Sequence, residues 1–403
     1  MKALGALCAA ATLLALGAPA APAQAPERPP AVPGAASAIV MDARDGDVMF
    51  AKQERQRRQM ASTTKLMTAL LTLENTRPTE VFTAADYMAA PVESQIGLRP
   101  GEQMTVQDLF EALLLESAND AAVTLAEGIS GTREAFVAAM NARAQQLGLN
   151  DTSYANPIGF DDALNYSSAR DLSTLALDLM RRRRFARVVD LPAAELESGA
   201  RPRVVDNRNT LVAAYPFVDG VKTGHTMQAG YVLIGAGESA AGGRVISVVM
   251  GEPSEPARDM DTLALLRWGL GRFQRVQVIE RRRTMARAAI EYRDETAALV
   301  PARGVAITLR DGEEVRRRVN APEQLEGPLA AGTRVGSVTV LVDGERKRRV
   351  ALVTAAQIPE AGTLRVLVSE VGVPLIVLLA LAVLFGVVLV AMRLRVRLRL
   401  VKR

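Results

Sequence analysis

Residues 371–392 carry no charged side chain and are dense in Leu, Val and Ile. About 20 apolar residues in a helix match the hydrocarbon thickness of a bilayer, so a run of this length is expected to cross one. Six cations follow it: Arg393, Arg395, Arg397, Arg399, Lys402 and Arg403. Cytoplasmic flanks hold the excess of Lys and Arg, so the tail 393–403 is expected inside and everything before the run outside. The run shows no polar face, which argues against a helix lying flat on the surface. The expected frame is therefore an exported body tied to a membrane by a single carboxyl-terminal span, with its working part extracytoplasmic.

The other end agrees with export. Lys2 precedes an apolar run over 4–16, and Ala23-Gln24-Ala25 is a small-x-small cleavage site, so residues 1–25 are expected to be a signal peptide. Its only cysteine, Cys8, follows Leu7, too bulky for the usual lipoprotein pattern. The mature chain then has no thiol and no disulfide. The chain carries 49 basic and 44 acidic residues, a net +5. Without Lys2 and the tail cations the balance is slightly negative. The high pI thus belongs to the membrane tail, and nucleic acid is not an expected partner.

Between the ends two textures alternate. A Pro- and Ala-rich linker over 26–33 leads into a hairpin over 38–52, with the turn at Arg44-Asp45-Gly46. Apolar residues at helical spacing follow over 62–73, 106–115, 121–129, 135–147 and 168–185. The last of these ends in the basic run Arg181 to Arg184, read as a solvated helix end. From Lys222 the pattern turns to strands, at 231–234 and 245–250, and a helix over 261–273 closes the region. A sheet built from both ends of this segment, with helices on its faces, fits that order. From about 276 short alternating strands replace helices, with turns at Arg310-Asp311-Gly312, Ala331-Gly332 and Asp343-Gly344. The expected divisions are a catalytic domain over 34–275 and a small all-β domain over 276–360.

Ser62 and Lys65 stand three apart at the start of a helical pattern, so both side chains share one face. A serine hydroxyl needs a nearby base to attack, and a lysine amine serves only when burial or a second cation lowers its pKa. Two further motifs follow in order: Ser117-Ala118-Asn119 and Lys222-Thr223-Gly224. Each alone is common; three in this order behind a signal peptide are specific. His225 is the only histidine, so a histidine-rich metal site is excluded and neither metal nor cofactor is expected. A Ser-His-Asp triad would have to use it, but a structural place for its side chain is expected. Asp161 and Asp162 read as a turn and not as an acid pair.

On these motifs the chain resembles the low-molecular-mass penicillin-binding proteins, the D-alanyl-D-alanine carboxypeptidases of serine peptidase family S11. The resemblance extends to the stretches 166–171, 207–209 and 219–226, the β-rich second domain and the carboxyl-terminal anchor. It implies a mixed α/β penicillin-recognising fold with a helical insert. It also implies hydrolysis of the terminal D-alanine from peptidoglycan pentapeptide stems through an acyl-enzyme on Ser62. Lys65 would be the base, Ser117 would relay the proton to the leaving amine, and Asn119 would bond the peptide and help fix Lys65. Lys222 would supply positive field. Thr223 and Arg208 would hold the terminal carboxylate, and the backbone N–H groups of Ser62 and His225, beside Gly224, would form the oxyanion hole. β-Lactam antibiotics would acylate Ser62 and leave slowly. One position departs: members commonly have a histidine before the glycine of Asn156-Pro157-Ile158-Gly159.

Two other readings stay open at this level. One is an endopeptidase of the same family that cuts cross-links; the other is a dormant scaffold that binds wall or division proteins. A β-lactamase is disfavoured, since no Glu-x-x-x-Asn stretch lies between the second and third motifs to hold a deacylating water.

Overall fold

A computed structural model describes residues 28–400 other than 364, 367, 368, 370 and 371. The expected signal peptide, with Cys8, and the last three residues lie outside the described residues. What is described falls into two compact units that divide between Arg272 and Phe273.

The first unit is organised on a five-stranded antiparallel sheet. Its order is Val48–Lys52, Ser37–Asp42, Arg244–Glu252, Gly230–Glu238, Val218–Thr226. The amino-terminal hairpin therefore pairs with the last strands of the unit, with Ile39 opposite Val248 and Met41 opposite Ile246. Side chains alternate across a strand. Ile39, Met41, Ile246, Val248 and Met250 join one apolar cluster with the helical insert. Val40 points the other way, against Gly269 of the helix Glu255–Leu270. The insert supplies helices Lys65–Asn75, Asn119–Ser130, Arg133–Gln146 and Ala169–Met180. Their apolar stripes carry Leu66, Leu70, Leu125, Phe136 and Leu175, all fully buried. Each such side chain contributes about 2 kcal/mol. Hydroxyl caps set several helix starts: Thr105, Thr132, Ser168 and Ser254 accept from the N–H three residues on.

The elements depart from the sequence pattern at identifiable places. The pattern over 168–185 is two helices, Ala169–Met180 and Arg183–Val189. Arg182 between them is extended, at φ −89° and ψ 107°. The basic run is a solvated helix end only in part: Arg181 and Arg183 are exposed, while Arg182 pairs with Asp178 and Glu74, and Arg184 lies over the Phe110 ring. The closing helix runs over Glu255–Leu270, capped by Ser254 with proline in its first turn, and Phe273 already begins a strand. The hairpin formed by Ala193–Leu196 and Arg203–Asp206 was not expected.

The second unit is built of strands. A six-stranded sheet has the order Val315–Asn320, Arg334–Val342, Glu345–Thr354, Thr296–Pro301, Ala286–Ile290, Gln324–Leu325, beside a two-stranded pair of Phe273–Ile279 and Val305–Arg310. Val278, Ile279, Val338, Val340, Val350 and Leu352 form its core. A helix over Val373–Leu400 follows; its stretch Val373–Arg395 is long and apolar enough to cross a membrane, and its most apolar window is not buried.

Candidate active site

Ser62 lies in a tight turn, Ala61–Thr64, that runs straight into the helix Lys65–Asn75. Ala61 just before it takes φ +49°, the left-handed region that side chains rarely adopt. Lys65, first in its helix, is fully buried, and its Nζ lies 3.1 Å from Ser62 Oγ. The same nitrogen donates to Asn119 Oδ1 at 2.6 Å and to the Ile158 carbonyl at 2.7 Å. A neutral amine has two N–H bonds and one lone pair. With the two short acceptors taking the N–H bonds, the lone pair is left facing the Ser62 hydroxyl. The amine can then accept that proton.

Its protonation state suits the task. Burial pushes the Lys65 amine well below its usual range, and the charge of Lys222 lowers it further; Glu93 and Asp120 oppose this. Lys222 is itself buried, and burial together with the Arg208 charge brings it down to about 7, against Glu116.

The second motif reaches Lys65 through an irregular turn. The helix Val106–Glu111 widens into a π-type turn over Ala112–Glu116, and Ser117 takes φ +64°. Such bulges recur at functional sites, and a non-glycine residue held in this region costs about 1–3 kcal/mol. The turn lets the helix Asn119–Ser130 start beside Lys65. The Ser117 hydroxyl is buried and has no hydrogen-bond partner among the described residues.

The third motif lies on the edge strand Val218–Thr226. A Cβ at Gly224 would stand 3.1 Å from the Ser62 N and 3.2 Å from the Met60 carbonyl oxygen, so the strand backbone abuts the nucleophile turn. Only glycine permits that approach without a shift. Gly159, at φ +98°, is tighter still, with a Cβ position 2.0 Å from the Ala61 carbonyl oxygen. Thr223 is buried beside Lys222, whose Nζ donates to the Thr223 carbonyl at 3.2 Å. His225 is exposed and stacks on Tyr231, centroids 4.0 Å apart, while the Ser62 hydroxyl is bonded to Lys65. Arg208 is more than half exposed and ion-paired with Glu116. Asp161 accepts from Thr226 and Gln228, tying the 156–165 loop to the strand end.

Ile158, the departure noted in the sequence, meets Lys65 through its backbone oxygen. Any residue supplies that contact, so the isoleucine leaves it in place. Sequence reasoning missed Glu93, which accepts from Asn119 Nδ2 at 2.7 Å. It stands in an irregular loop with no periodicity to single it out.

The comparisons with known proteins fit this geometry. Residues 23–254 match the family model "D-alanyl-D-alanine carboxypeptidase", and 273–360 match "Penicillin-binding protein 5, C-terminal domain". The chain is similar to D-alanyl-D-alanine carboxypeptidase DacA of Haemophilus influenzae, 32% identical over 342 residues, 80% of this chain and 85% of that one. It is 29% identical to DacF of Bacillus subtilis over 348 residues, 84% of this chain and 89% of the relative. Among solved structures, penicillin-binding protein 5 of Haemophilus influenzae superposes with a TM-score of 0.59 at 31% identity, over 83% of this chain and 99% of that one. The fold, the site and these relatives together make this chain a member of the D-alanyl-D-alanine carboxypeptidases of serine peptidase family S11.

Proposed function

We propose that the chain removes the terminal D-alanine from peptidoglycan pentapeptide stems through an acyl-enzyme on Ser62, working on the periplasmic, extracytoplasmic side while its last helix holds it in the inner membrane. The observation that carries this reading is the buried Lys65 amine 3.1 Å from Ser62 Oγ, with two acceptors on its other bonds. Lys65 takes the hydroxyl proton as Ser62 Oγ bonds to the carbonyl carbon of the D-Ala–D-Ala peptide. The C–N bond breaks, and the departing amine receives the proton. Ser117, whose hydroxyl has no partner among the described residues, relays it, since a hydroxyl both accepts and donates. Water then attacks the ester, and Ser62 regains its proton.

The carboxylate left by a terminal residue selects for carboxypeptidase action. Lys222, Thr223 and Arg208 hold it. The Glu116 pair uses one nitrogen of Arg208, and a guanidinium has five donors, so capacity remains for a second carboxylate. The edge strand offers outward N–H groups that no sheet neighbour uses, which suits an oxyanion hole of the His225 and Ser62 backbone. A β-lactam places its strained carbonyl in the same position and acylates Ser62.

The test is direct. The full chain in detergent is incubated with a fluorescent penicillin and, separately, with a pentapeptide ending in D-Ala-D-Ala. Covalent label and D-alanine release are expected from wild type, and neither from Ser62→Ala. Label without D-alanine release, together with cleavage of a cross-linked dimer, turns the reading to an endopeptidase. No label overturns the catalytic assignment.

A further inference from the structure

The loop between Ala85 and Arg99 brings one carboxylate against the site. Glu93 Oε2 accepts from Asn119 Nδ2 at 2.7 Å, and the same carboxylate accepts from the Tyr87 hydroxyl and, at 2.8 Å, from the Ala90 N–H. On its other side the Asn119 amide gives its oxygen to Lys65. A carboxylate only accepts, so the Asn119 nitrogen must face Glu93 and its oxygen must face the amine. We propose that Glu93 is a positioning residue for Lys65: its carboxylate locks the Asn119 amide in the one orientation that leaves the lysine lone pair on Ser62, and its charge offsets that of Lys222. This inference rests on the acylation reading above.

The charges around the amine support the second half. Lys222 and Glu93 act on Lys65 in opposite senses, with Asp120 a smaller ally of Glu93. Asp120 is occupied by the backbone N–H groups of Ile96, Leu98 and Ala121. Around Lys222 stand Arg208, Glu116 and Arg258. Around Glu93 stand Tyr87 and Lys65, and the Arg133 guanidinium lies 5.3 Å from the Tyr87 ring centroid. Burial alone would push the Glu93 carboxyl up. The bonds from Tyr87, Asn119 and Ala90 reverse it, so it stays ionised. Burial and that same bond hold the Tyr87 hydroxyl protonated, as a permanent donor. Without the Glu93 charge the Lys65 amine would be pushed lower still, since Lys222 and burial would act with less to oppose them.

The test uses the full chain in detergent, as wild type, Glu93→Gln and Glu93→Ala. The 13Cε shift of Lys65, assigned by Lys65→Arg, is titrated with pH, and acylation by a fluorescent penicillin is timed across the same range. Glu93→Gln keeps an oxygen for the Asn119 amide and removes the charge. Its Lys65 titration and the rising limb of its acylation profile are expected to move down by about half to one pH unit, with the maximal rate within about threefold. Glu93→Ala also frees the amide and is expected to lose about tenfold or more in maximal rate, with penicillin affinity unchanged. A Lys65 titration in Glu93→Gln that overlays wild type overturns the inference, and this variant decides if Glu93→Ala fails to fold. A Glu93→Gln titration displaced from that of wild type, with wild type taking no label, sinks the acylation reading and leaves the electrostatic role of Glu93 standing.

Discussion

The two units use the same residue types in opposite ways. In the second unit none of the basic side chains between 273 and 360 is buried; nearly all are exposed, Arg293 and Arg310 being intermediate. In the first unit Lys65, Lys222 and Arg258 are all buried. Arg258 is matched by Glu255 and Asp259, as burial of a charge requires. Lys65 and Lys222 have no carboxylate ion pair among the described residues and respond by lowering their pKa. A fold that holds two amines out of water without a paired carboxylate gives up stability to do so, the pattern that perturbed groups at functional sites follow.

The comparison breaks most visibly at Lys65. Lys65→Met keeps the volume and removes the base, so acylation by penicillin is expected to fall by about a thousandfold or more. The same variant is expected to melt at or above the wild-type temperature, because an apolar side chain replaces an amine fully out of water. Calorimetry together with stopped-flow labelling checks both. A variant that acylates normally removes the base assignment; one that acylates poorly and melts far lower makes Lys65 structural.

Lys222 sharpens it through pH. Burial and the Arg208 charge bring its amine down to about 7, so its positive charge is present below that pH and lost above it. Affinity for penicillin is expected to weaken as pH rises through about 7, and Lys222→Met is expected to be weaker by about ten- to a hundredfold below pH 7 and flat across it. Stability runs the other way. The usual lysine value is 10.5, so between about 7 and that value the unfolded chain binds a proton that the folded chain does not. Unfolding free energy therefore rises with pH across this window, and Lys222→Met removes part of the slope. Binding titrations and denaturant melts at pH 6, 7.5 and 9 read the two signs separately.

The sequence carried this contrast unevenly. The three motifs were legible because their residue types are chemically demanding, and the β-domain because alternation and turn residues survive in any register. Glu93 was not, since a loop carboxylate has no period and its partner Asn119 is 26 residues away in sequence. Nor was the π-type turn before Ser117, because the apolar spacing of Leu113, Leu114 and Leu115 continues unbroken through it. The break at Arg182 hid in the same way, with Leu179, Met180, Phe185 and Val188 all buried on either side. Periodicity reports which side faces the core and is blind to a local change of pitch.

In the β-domain the expected effects are smaller. Val338 is fully buried in its core, so Val338→Ala is expected to destabilise that unit by about 1–3 kcal/mol while labelling of Ser62 stays at wild-type rate. Protease susceptibility between 273 and 360 reads the first and penicillin labelling the second.

The smallest effect is the most discriminating. Arg318 stands opposite Thr339, and Thr339 opposite Arg349; Arg316 stands opposite Leu341, and Leu341 opposite Arg346. These four guanidinium groups share one exposed face of the sheet, rich enough in charge to be mistaken for a site. Arg349 bonds Ser337, and Arg316 pairs with Glu314 in full solvent, where such a pair is worth little. Burial distinguishes them from Lys65 and Lys222, so the double variant Arg318→Gln with Arg346→Gln is expected to leave acylation and D-alanine release within twofold. Its stability is expected within about 0.5 kcal/mol of wild type. A larger loss of D-alanine release with acylation intact means that this face reaches the substrate polymer, and the division of labour between the two units then fails.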